Sequence, residues 1–255
     1  MKKISILVCL LTGIVLYAYA IPTKIVIRVK AKDAKFIGTG IGGAYIIVKN
    51  NLTGETLAKG ITTGSSGSTE LIMQTPVKRW QSLTDDKTAK FEAVIDIADP
   101  LFIDIEAVAP VNRKNASIRG STQLWLVPGK HITGDGIVLE LPGFILDILS
   151  PSTHEFIPLN SLKDQTLQFK ASLTLLCGCT ITKGGVWNSD DIEVAAYIKK
   201  EGVKIKETPL TLTDKANIFS GKVKIEEKGN YEITIYAYDI KTNNTGVDHI
   251  NFVIQ

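Results

Sequence analysis

The chain has 255 residues, of which 44% are hydrophobic and 22% charged, with a formal net charge of +3 and three cysteines. So small a charge excludes the basic field of a nucleic-acid binder, and the length suffices for one large core or two ordinary ones. Past the first twenty residues no stretch is long and apolar enough to cross a membrane.

The first element is a targeting segment, residues 1–20. Lys2 and Lys3 form a basic start, Ile4 to Leu16 is largely apolar, and Ala18-Tyr19-Ala20 has the small-x-small pattern of a signal-peptidase site. The uncharged run from Ile4 to Ala20 lies at the short end of the roughly 17–25 residues that span a bilayer, so cleavage after Ala20 is favoured over an uncleaved anchor. The reading is an exported protein, periplasmic or extracellular, that touches the membrane only through this segment. Removal of Lys2 and Lys3 brings the net charge to +1, and Cys9 leaves with them. Cys177 and Cys179 then remain in an oxidising compartment.

From Ile21 onward the side chains alternate with period two, and helical periodicity is weak. Strands are expected over Lys24–Lys30, Ala44–Lys49, Phe91–Ile97, Leu101–Val108 and Gln123–Val127, with Pro76–Lys90 as a polar insertion. A joint falls at Leu141-Pro142-Gly143, where proline and glycine interrupt the pattern. It separates residues 21–141 from residues 142–255. In the second part, Thr166–Leu176 alternates most cleanly, with Leu167, Phe169, Ala171, Leu173 and Leu175 on one face. Further strands are expected over Ile192–Lys199, Asn217–Ile225, Tyr231–Tyr238 and Val247–Ile254. The fold class is all-β: two tandem sandwiches behind a signal peptide.

The run Gly43-Ala44-Tyr45-Ile46-Ile47-Val48, the turn Asn51-Leu52-Thr53-Gly54, and the Gly/Thr-rich segments at Gly60–Gly64 and Gly67–Leu71 carry a resemblance. The first part resembles prealbumin-like domains, the transthyretin-like or carboxypeptidase-regulatory modules. The closing hairpin, Gly229-Asn230-Tyr231 through Asp239, then Asn243-Asn244-Thr245-Gly246 and Phe252-Val253-Ile254, makes the second part resemble bacterial immunoglobulin-like domains. Both resemblances imply binding, spacing or structural roles and neither implies catalysis.

Cys177-Gly178-Cys179 is the sharpest local feature. In a straight strand the two Cα atoms would lie about 6.6 Å apart, at the limit for a disulfide, but Gly178 can bend the backbone and close the gap. Three readings stay open: a structural bridge, a redox-active pair, and a soft-metal site for copper or zinc. His154, in the loop before the cysteine-bearing strand, is the histidine best placed in sequence to join them. Trp187 is either a core residue of the second sandwich or an aromatic platform for a ligand. Asp239, Asn243, Asn244 and Asp248 form an oxygen-rich cluster that is either a calcium site or a set of self-bonded turns, and Asn188–Asp191 is read as a solvated turn. Asp96, Asp99, Asp104 and Glu106 read as the wet faces of two strands. Trp125 is a second aromatic considered for glycan contact.

No serine-nucleophile motif, phosphate loop or zinc-protease helix is present. The expectation is therefore a non-enzymatic binding or structural accessory module, without a cofactor, whose partner is a protein or other envelope component. The alternative is a periplasmic thiol-redox or copper-handling protein centred on Cys177 and Cys179.

Overall fold

The computed structural model describes residues 19–255, and the signal segment expected over residues 1–20 lies, up to residue 18, outside the described residues. The first sandwich is built from seven strands: β1 (Ile21–Ala31), β2 (Tyr45–Asn50), β3 (Thr56–Ile61), β4 (Phe91–Ile97), β5 (Leu101–Ala109), β6 (Ile118–Leu126) and β7 (Ile132–Leu141). They form two sheets, β4-β1-β7 and β3-β2-β5-β6. Every pairing is antiparallel except that of β1 with β7, so the first and last strands lie side by side in parallel. Alternation sets the layers. On β5, Ile103, Ile105, Ala107 and Ala109 are fully buried, while Phe102, Asp104, Glu106 and Val108 face outward. The acidic residues of β4 and β5 thus take the wet faces expected of them.

The central strand β1 departs from that alternation. Ile25, Val26, Ile27, Arg28 and Val29 are all buried, so this strand is covered on both faces. The cover is the segment 82–90, inside the stretch read from sequence as a polar insertion. The Arg28 guanidinium holds it by donating to the main-chain oxygens of Thr88 and Ala89, the latter at 3.0 Å, and to Gly134 at 3.3 Å. Asp135 holds the other end, accepting from the Ser82 and Thr84 hydroxyls at 2.5 Å each and from the Leu83 amide at 2.9 Å.

The second sandwich contains β8 (Phe144–Ser150), β9 (Glu155–Ile157), β10 (Thr166–Leu175), β11 (Ile181–Thr182), β12 (Trp187–Asn188), β13 (Ile192–Lys200), β14 (Val203–Pro209), β15 (Thr211–Leu212), β16 (Ile218–Lys224), β17 (Gly229–Asp239) and β18 (Thr245–Ile254). Its two main sheets are β15-β16-β10-β8 and β14-β13-β17-β18-β9, with β11 and β12 as a short parallel pair. The chain leaves the first sheet after β8 and enters the second as β9, parallel to β18. Tyr231, near the start of β17, is buried and donates its hydroxyl to the Glu227 oxygen at 2.8 Å. That is the tyrosine corner of immunoglobulin-like sandwiches. Two residues on, where antibody domains place a cysteine, the fully buried Ile233 packs instead. The second sandwich is therefore immunoglobulin-like with an all-apolar centre.

Residues on the inner faces of both sandwiches belong to one continuous hydrophobic cluster, which passes from Leu139 and Leu141 to Phe144, Ile145 and Leu146 across the joint. Besides β1, strands β6 and β14 also differ from the expected pattern. β6 starts at Ile118, ahead of the expected Gln123. β14 was not foreseen, because its residues Val203–Glu207 are all exposed and leave no buried face to read.

Candidate functional site

The residues singled out in the sequence gather mainly at the joint between the two sandwiches. β10 ends at Leu175, and the Gly178 amide donates back to the Leu175 oxygen at 2.8 Å, closing a tight turn. Gly178 sits at φ +76°, a left-handed backbone that glycine adopts without a Cβ clash. The turn brings the Cys177 and Cys179 Cα atoms to 5.4 Å, and the two are joined as a disulfide. Both sulfur-bearing residues are buried, and the Thr174 hydroxyl donates to the Cys179 oxygen at 2.8 Å. The open side of Gly178 faces Ile41 of the first sandwich, in van der Waals range of any added Cβ. The cysteine turn is thus part of the joint.

Trp187 lies on β12 and is only half-buried. It packs against the hydrophobic core from the edge rather than at its centre. Its indole N–H donates to the main-chain oxygen of Asp33 at 2.9 Å, across the joint. Asn244 makes the second cross-joint tie. Fully buried, it accepts from the Gly143 amide at 2.8 Å and donates to the Lys32 oxygen at 3.1 Å. Lys32 and Asp33 form the tight turn that follows β1, and Asp33 has φ +52°.

A cavity of about 100 Å³ remains between these elements, lined by Asp33, Phe144, Trp187, Asp191, Asp239 and Lys241 among others. Burial, with the Asp239 charge as the next cause, pushes the Asp33 carboxyl above its ordinary range, although its outer side stays open to water. Lys241 donates to Asp191 at 2.7 Å, and that bond raises its pKa. The space is large enough for only a few water molecules, whereas small-molecule sites measure roughly 300–1,000 Å³.

The oxygen-rich cluster does not converge. Asp239 accepts from the Lys241 and Thr242 amides at 2.8 and 3.2 Å, as a turn residue does. Asn243 accepts from the Tyr238 hydroxyl at 2.8 Å, and Asp248 accepts from the Ile148 amide at 2.8 Å on a different strand. Each of these residues is engaged by a different partner, and Asn244 is a joint residue. His154 is also elsewhere. Phe144 pairs with Leu175 and Ser150 with Lys170, so the β8–β9 loop lies at the far end of the sheet from the cysteines, about 20 Å away by strand rise. There the His154 amide bonds the Asn251 oxygen at 2.6 Å and its ring meets Phe156 edge-on at 5.0 Å. Among the described residues no three His, Cys, Asp or Glu side chains are grouped to hold a metal ion.

No protein-family model matches the chain, and no curated protein matches it. Among solved structures, the fibronectin(III)-like modules of Clostridium thermocellum CbhA align over 92% of this chain and 94% of theirs, at 11% identity and TM-score 0.28. Tandem immunoglobulin domains of titin align over 93% and 98%, at 9% identity and TM-score 0.26. An engineered protein aligns over 48% of this chain and 22% of its own length, at 14% identity and TM-score 0.32.

Sequence reasoning missed Lys32, Asp33 and Arg28 as structural keys. Arg28 carries a readable signal: a charge that interrupts the apolar run Ile25-Val26-Ile27 and Val29 needs polar partners if it is buried. Lys32 and Asp33 act through main-chain oxygens, which composition does not reveal.

Proposed function

We propose that this chain is an exported, non-enzymatic accessory module of the cell envelope, in which two sandwiches act as one rigid body that spaces or presents a binding surface. The observation that carries this reading is Asn244, a fully buried amide satisfied by one main-chain group from each side of the joint. Such a group fixes geometry, since any other relative placement leaves it unpaired in an apolar setting. The first sandwich is read as prealbumin-like, supported by the Tyr45–Ile61 hairpin and by the parallel pairing of β1 with β7. The two sandwiches correspond to residues 21–141 and 142–255.

The test is complementation of a host lacking the chain, under osmotic and detergent stress. Wild type should restore the envelope, the Cys177→Ser/Cys179→Ser variant should restore it equally, and an Asn244→Ala/Trp187→Phe variant should restore it poorly. Failure of the cysteine variant alone, with copper or thiol sensitivity, would transfer the function to the Cys177–Cys179 pair. Full rescue by the loosened joint would remove the rigid-spacer reading.

A further inference from the structure

Away from the joint, the second sandwich has an open side. β16 pairs with β10 along its whole length, but on its other side β15 covers only Phe219 and Ser220. Gly221–Lys224 therefore has no strand beyond it. The opposite wall is β14, the end strand of the other sheet. Where β14 ends, the Pro209 oxygen lies 3.1 Å from the position a Gly221 Cβ would take, so the two sheets close up there. Beyond that point they separate into a groove of about 450 Å³.

Its chemistry is specific. Ile205, Val223 and Tyr231 give an apolar floor, and four lysines face two glutamates around it. Lys200 is bound by Glu227, whereas Lys206, Lys222 and Lys224 make no ion pair among the described residues. Lys222 and Lys224 stand two residues apart on one face of β16, about 6.8 Å along the strand. The β14 wall is a poor template for strand addition. Ile205 is the extra residue of a bulge against β13, and lysines and Pro209 flank it. The β16 wall has neither bulge nor proline.

We propose that this groove receives an extended acidic segment of a partner protein, added as a strand to the Gly221–Lys224 edge. Main-chain bonds to β16 supply affinity, as in other strand-addition complexes. Carboxylates at every second position of the segment meet Lys222 and Lys224, and Lys206 on the opposite wall adds to the positive field of the groove. The intervening side chains rest on Ile205 and Val223. This site is independent of the rigid-joint reading and stands or falls separately from it.

Fluorescence anisotropy of the full chain with a labelled peptide of alternating glutamate and valine tests it. Saturable binding that weakens with salt is expected, with at least about a tenfold loss in a Lys206→Glu/Lys222→Glu/Lys224→Glu variant whose melting temperature is unchanged. A peptide with lysine for glutamate should not bind, nor one N-methylated at alternate residues. Unchanged binding by the triple variant, or equal binding of the N-methylated peptide, would overturn the proposal. So would binding of polygalacturonate with none of the peptide, which would make the groove a site for acidic glycans.

Discussion

The side-chain amide of Asn244 donates to the main-chain oxygen of Lys32 at 3.1 Å, joining positions 212 residues apart. Its own oxygen accepts from Gly143 at 2.8 Å, in the connection between the sandwiches. Replacement by leucine leaves a buried N–H and a buried carbonyl unpaired, a cost of about 1–3 kcal/mol. Asn244→Leu should lower the melting temperature by several degrees, and Asn244→Asp should do at least as much harm, because a carboxylate cannot donate to Lys32. Calorimetry of both variants decides this. If Asn244→Asp melts with wild type, the bond across the joint contributes nothing.

Trp187 supplies the second tie, and its separate worth is measurable. Trp187→Phe keeps an aromatic ring but removes the donor to Asp33, an expected loss of about 1 kcal/mol. In a double-mutant cycle with Asn244→Ala, the two losses should fall short of additive, because loosening either tie relaxes the same joint. Strict additivity would mean that the two bonds act on separate structures.

Much of this was legible in the sequence, for a physical reason. Leu167 to Leu175 and Tyr231 to Ala237 bury every second residue, so period two announces the strand and its inner face. Strand β14 has no buried face to mark it because it lies at an edge, and β1 buries Val26 and Arg28 as well as Ile25, Ile27 and Val29 because both its faces are covered. The cysteine turn lies at the end of β10, where the alternation stops, and its two cysteines are joined as a disulfide, a state that a structural bridge and a redox-active pair share. Asn244 and Asp239 lie close in sequence, yet one is a buried bridge and the other a turn residue. Spacing reports proximity along the chain, whereas that difference depends on which side of β17–β18 meets the first sandwich.

Arg28 should control the cover over β1. Its guanidinium is buried and its acceptors are main-chain oxygens, so burial lowers its pKa despite nearby Asp135 and Asp85. Arg28→Met removes the donors to Thr88, Ala89 and Gly134 and should cost about 2–3 kcal/mol. Limited trypsin digestion should then cut faster after Lys78, Arg79 and Lys87. Arg28→Lys should rescue only in part, since one ammonium cannot reach three diverging oxygens. Equal digestion of wild type and Arg28→Met would show that the segment is held by other contacts.

The two cysteines close a very short loop, so the chain-entropy share of their bridge is small, about 1–2 kcal/mol. Cys177→Ser/Cys179→Ser should fold, keep its sheet spectrum and melt only slightly earlier. A loss of folding would instead show that the cysteine turn, packed against Ile41, organises the whole joint.

Asp135 gives the chain an acid response of definite sign. Burial opposes ionisation, but hydrogen bonds from Ser82, Thr84 and the Leu83 and Thr84 amides prevail and hold its carboxyl below the ordinary range. A carboxylate depressed in the folded state contributes stability that is present above its unfolded pKa and is lost as pH falls through the folded value. The cover should therefore stay closed above the ordinary aspartate pKa of about 3.9 and loosen only below it. Amide hydrogen exchange at Leu83 and Thr84, followed from neutral pH downward after correction for intrinsic rates, should show protection falling in that acid window. Asp135→Asn keeps an acceptor but loses the charge, so its protection should be weaker at neutral pH and should lack the acid step. An acid step that survives in Asp135→Asn would assign the response to Asp85, whose carboxyl is likewise depressed, by its bond from Thr88.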